Sequence, residues 1–183
     1  MIKSNNIIAR DMLVMLRECK GRKVENLLQT DQDFETSFEV VILRFKEYDL
    51  EIWSLEQPDK EDGVSDLAKV IVKKNPAKNS PCPVGKYGEN GEVLPGEFAK
   101  EPIGKVISGI TVYNELVKWS NEYGDFLLAN TYATVISLGK RYLHIVKDIY
   151  WTEEWDVSFS RSPVPQKPDY DEDEKVSYSS FEL

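Results

Sequence analysis

The sequence predicts an α+β fold, in which an N-terminal helix packs on a mainly antiparallel sheet of about six to eight strands. Three observations lead there. The hydrophobic period near the N-terminus is that of a helix, and after Gly21 it changes to two. Two apolar runs, ILRFKEYDLEI (42–52) and VISLGKRYLHI (135–145), are each broken by a charged knot and closed by an L-x-I, as β-hairpins are. WTEEWDVSFS (151–160) alternates cleanly, so it reads as a half-buried antiparallel strand with one wet face.

The elements follow in order. NNIIARDMLVMLREC (5–19) reads as a helix capped by Ser4 or Asn5 and ended by Gly21. Ile8, Met12, Met15 and Cys19 share one face of it, with Leu16 beside them. KVENLL (23–28) is a candidate strand. FEVVILRF (38–45) carries Val41, Leu43 and Phe45 on one face and Phe38, Val40 and Ile42 on the other, the pattern of a strand covered on both sides. LEIWSL (50–55) returns after a turn at KEYD, and LAKVIVKK (67–74) reads as a strand or as a short helix begun at Ser65.

Residues 75–104 hold five of the nine prolines and five of the ten glycines, so they read as a loop or linker. KVISGITVYNELV, DFLLANTYATVISL and LHIV then build a second meander over 105–160. The organisation is a helix plus first meander (1–74), a linker (75–104), a second meander (105–160) in the same domain, and an acidic, flexible tail (161–183).

The two meanders echo each other as a weak internal repeat. At an offset of 93 residues Ile42 meets Val135, Leu43 meets Ile136, Leu50 meets Leu143 and Ile52 meets Ile145. Lys23-Val24 echoes Lys105-Val106 at an offset of 82. Any two hairpins share some of this spacing.

Composition bounds function. With 183 residues, 41% hydrophobic and 11% aromatic, the chain can bury its own core. Two cysteines, Cys19 and Cys82, without a C-x-x-C or Cys/His cluster, suit free thiols in a reducing compartment, and the expected localisation is cytoplasmic. A net charge of −9 disfavours direct binding to nucleic acid and permits a basic protein partner or acidic mimicry of nucleic acid; solubility alone also accounts for it.

Motifs for chemistry are sparse, and no catalytic residue, cofactor or metal is expected. His144 is the one histidine, and a strand histidine is more often structural than catalytic. The run from Asp169 resembles the start of a calcium loop, but Glu174 stands where glycine is required and Ser180 where a bidentate glutamate is required. The glycines at 85, 88, 91 and 96 form no phosphate loop. Two features suit partner binding. Trp151, Glu153, Glu154, Trp155 and Asp156 mix tryptophan with acid, although both tryptophans also read as core with Glu153 reaching outward. Asp169, Asp171, Glu172 and Asp173 form an acidic run that a basic surface could order.

Lys23-Val24, then Val41-Ile42-Leu43-Arg44-Phe45, then a polar turn and Leu50-Glu51-Ile52, resembles small acidic bacterial proteins encoded beside toxins. The resemblance is one of apolar spacing and carries over no residue role. It implies an immunity protein that neutralises a toxin domain by occluding its basic active site, without membrane or direct nucleic-acid binding. The alternatives are a phage or mobile-element protein blocking a nucleic-acid-binding host factor, and a small ligand-binding domain or hydrolase.

Overall fold

A computed structural model describes residues 1–30, 39–56, 68–76, 85–87, 93–95, 98–122, 124–147, 155–172 and 174–183. The fold is mostly antiparallel sheet with one short helix. Strand β1 (Ile2–Asn6) leads into helix α1 (Arg10–Glu18). There follow β2 (Lys23–Thr30), β3 (Glu39–Arg44), β4 (Asp49–Glu56) and β5 (Ala68–Asn75). After the small pair β6 (Gly85–Tyr87) and β7 (Val93–Pro95) come β8 (Phe98–Val106), β9 (Gly109–Asn121) and β10 (Gly124–Ser137). The chain closes with β11 (Tyr142–Lys147), β12 (Trp155–Ser160) and β13 (Lys175–Glu182).

The first sheet has the order β5-β4-β3-β2-β8 and the second β12-β11-β10-β9-β13, with β1 added in parallel along the far part of β10. Each is a four-strand meander whose fifth strand returns to pair beside the first. The registers repeat as well. Leu43 faces Leu50 as Ile136 faces Leu143, each 93 residues on. The tight turns close on the same bond: Phe45 N–H donates to the Tyr48 carbonyl at 2.9 Å, and Leu138 N–H to the Arg141 carbonyl at 2.8 Å. Leu27 faces Leu43 as Ile110 faces Ile136, so the first strands correspond at 83 residues rather than the 82 expected from sequence. That register equates Val24 with Ile107, both in the core. It also equates Gly21 with Gly104, both with left-handed φ (+82° and +62°), where a side chain would be strained. Leu50 faces Lys74 as Leu143 faces Phe159, which aligns the fourth strands.

The two sheets share one core. Val41, Leu43, Phe45, Leu50, Ile52, Val70 and Val72 come from the first, and Ile110, Val112, Ile136, Leu143, Ile145 and Trp155 from the second. The face assignment within 39–45 follows from period two: Val41 and Leu43 point into this core, while Val40 and Ile42 join Leu28, Trp53 and Phe98 on the outer face; Phe38 lies outside the described residues.

Four expectations need correction. The helix spans nine residues, not fifteen, and starts after Ala9 with no side-chain cap from Ser4 or Asn5. It buries Leu16, with Cys19 buried at its end, and contacts β5. Ile2–Asn6 is a strand because pairing with Phe126–Asn130 satisfies its backbone. Part of the expected linker is β8, an edge strand whose mostly exposed side chains give no alternation. Its Pro102 is tolerated beside a register shift at Val24–Asn26, since an edge or bulge needs no donor there. The expected mobile tail includes β13, held by eight paired positions along β9. Among the described residues no helix is long and apolar enough to cross a membrane, and Cys19 is a buried free thiol.

Candidate functional site

The outer face of the second sheet carries His144 and Asp156, two of the polar residues singled out from sequence. Tyr113, Glu115 and Val117 point outward from β9, because alternate residues of a strand share a face. Asn130 faces Glu115 across the ladder and donates Nδ2 to Oε1 at 2.8 Å. Glu115 is 3% exposed. Burial pushes its carboxyl up, opposed by hydrogen bonding from Tyr170 and Asn130 and by the charge of Lys147.

Residues 161–172 cross this face as a strap. The His144 Nε2 lies 2.8 Å from the Ser162 carbonyl. A carbonyl only accepts, so the imidazole carries a proton on Nε2. Tyr113 donates its hydroxyl to the Pro163 carbonyl at 2.9 Å. Pro165 and Pro168 are buried, and Tyr170 packs on Val117 and Leu128. Lys167 sits 4.4 Å over the Tyr178 ring. His144 is thus a buried anchor for the strap.

The predicted partner-binding residues divide three ways. Trp155 is 4% exposed and belongs to the shared core, so it is not available to a partner. Asp156, Asp169, Asp171 and Glu172 are exposed. Asp156 faces Val146 across the β11–β12 ladder, and Val146 packs with Tyr132 and Ala133 on the outer face. The other three carboxylates lie on the strap on either side of Tyr170, which packs on that same face. Trp151, Glu153, Glu154 and Asp173 lie outside the described residues. Asp169–Glu174 has no set of three metal-ligating side chains among the described residues.

A second place was not foreseen from sequence. A cleft of about 570 Å³ opens between β8, the β10–β11 turn and β12. Lys105, Lys140 and Arg141 stand around it, Glu101 is the one acid among the described residues that line it, and Ile103, Leu138 and Phe159 supply apolar wall. No sequence spacing signals it, because the wall comes from three separate segments and one of them is β8.

No family model, curated protein or solved structure matches this chain in the comparisons made with each.

Proposed function

We propose that this chain is a protein-binding inhibitor that meets a basic partner with the outer face of its second sheet. An immunity protein occluding the basic active site of a toxin domain is its concrete form. The observation that carries the reading is that Asp156 is exposed on β12 at this face and that Asp169, Asp171 and Glu172 are exposed on the strap beside Tyr170, which packs on the same face. Their anchors support it too: the strap is tied to the sheet through His144, Tyr113 and Tyr170, so its acids are held in place before a partner arrives. A preordered acidic surface loses less conformational entropy on binding and speeds association with a cation-rich partner. The nearest cation of the strap, Lys167, is engaged with an aromatic ring.

The test is retention of partners from the source cell by tagged protein at low and physiological salt. One stoichiometric basic protein should be retained, and a variant carrying Asp169→Lys, Asp171→Lys and Glu172→Lys should lose it. Retention that is indifferent to both salt and charge reversal would refute the acidic-face mechanism.

A further inference from the structure

We infer that the cleft between β8 and the β10–β11 turn binds a small aromatic anion, independently of the acidic face. The first half of the molecule shows what this position accommodates. There the corresponding turn carries Phe45 and Tyr48, whose rings stack at 4.8 Å. Lys74 lies 4.4 Å from the Tyr48 ring centre and Arg22 lies 5.7 Å from it. Tyr48 is 4% exposed, and its hydroxyl meets the Cys19 thiol at 3.6 Å. An aromatic ring flanked by two cations therefore fills the position from within.

In the second half the same places read differently. Leu138 stands for Phe45 and Arg141 for Tyr48, by the shared turn bond. Phe159 stands for Lys74, by the shared register opposite Leu50 and Leu143. Lys105 follows Gly104 as Arg22 follows Gly21. The ring is missing from the turn, a phenyl wall has appeared on β12, and a cleft remains. Lys105, Lys140 and Arg141 are exposed, and none of them joins an ion pair among the described residues. Among the described residues, three cations against the single acid Glu101 give local positive charge in a chain of net charge −9. The walls suit a planar ring against Phe159, Ile103 and Leu138, and the rim suits a carboxylate, sulfonate or phosphate, which guanidinium grips through two parallel bonds.

The probe is anilinonaphthalene sulfonate, titrated into the native full chain at physiological salt and followed by fluorescence. Wild type should show saturable binding at one site, displaced by benzoate and not by benzylamine. A variant with Lys140→Glu and Arg141→Glu should bind about tenfold more weakly. Lys105→Glu alone should weaken binding in the same direction, which covers failure of the double variant to fold. Lys46→Glu, in the corresponding first-half turn, should leave binding unchanged, and so should charge reversal at Asp169, Asp171 and Glu172. Absence of saturable binding, equal binding in the cleft variants, or equal displacement by benzylamine would overturn the assignment.

Discussion

The β3–β4 turn and the β10–β11 turn share a backbone hydrogen bond and a register, yet one is sealed and the other is open. The first turn closes on its own stacked pair, Phe45 and Tyr48, with α1 and Arg22 against it. The second presents Leu138 to the core and leaves Arg141 in solvent. The difference begins upstream. Before Gly21 the chain is helix α1, whose Met15 carbonyl receives the Cys19 thiol; before Gly104 it is strand β8, already spent as the fifth strand of the first sheet. A matching turn and register thus serve packing in the first half and expose a cleft in the second.

The outer faces differ in the same manner. Position 51 of the first sheet corresponds to 144 of the second through the shared register. Glu51 accepts the Trp53 indole N–H at 2.8 Å within its own strand, while His144 reaches out to the strap. A local bond on one sheet corresponds to a tether on the other.

The contrast can be broken most forcefully at Phe45. Phe45→Ala removes a fully buried ring and its stacking partner's support, so urea unfolding should show a loss of about 3–5 kcal/mol. Removing the tether with His144→Ala should cost about 1 kcal/mol. It should also raise proteolytic cutting within 161–172, where Glu51→Ala leaves that segment untouched. Arg141→Ala, at the open turn, should change stability by no more than about 0.5 kcal/mol.

Glu115 gives a pH-dependent prediction of stated sign. Burial raises its pKa in the folded chain, so its stabilising contribution is complete below the carboxyl's unfolded pKa and is lost as pH rises through the folded value. Glu115→Gln keeps an acceptor for Asn130 and removes the charge. It should therefore stabilise the protein at neutral pH relative to wild type, with the advantage shrinking toward pH ~4. A thermal-melt series against pH checks this, and an advantage that grew on acidification would contradict it.

How much of this could be read from residues depended on burial. Strands β3, β4, β10, β11 and β12 were legible because their apolar residues repeat at period two and their turns are charged. The 93-residue echo of Leu43 and Leu50 in Ile136 and Leu143 emerged as a matching register. The edges were not legible. Strand β8 carries Pro102 and faces water with most side chains, β13 is serine-rich, and β1 is polar. Edge strands are specified by neighbours' unpaired backbone groups more than by their own side chains. The one-residue error in aligning Lys23 with Lys105 arose from matching identities rather than faces; Val24 and Ile107 are the buried pair. For the candidate site, the exposed acids were legible as charge, but nothing in the sequence showed that His144 and Tyr113 would bind the strap to the sheet.

The most direct test compares two amides in one sample: native-state hydrogen exchange at the Phe45 and Leu138 N–H groups, which donate to equivalent carbonyls. A sealed first turn and an open second one predict slower exchange at Phe45, by about tenfold or more. Equal protection, or slower exchange at Leu138, would contradict the claim that one unit is filled in the first half and open in the second.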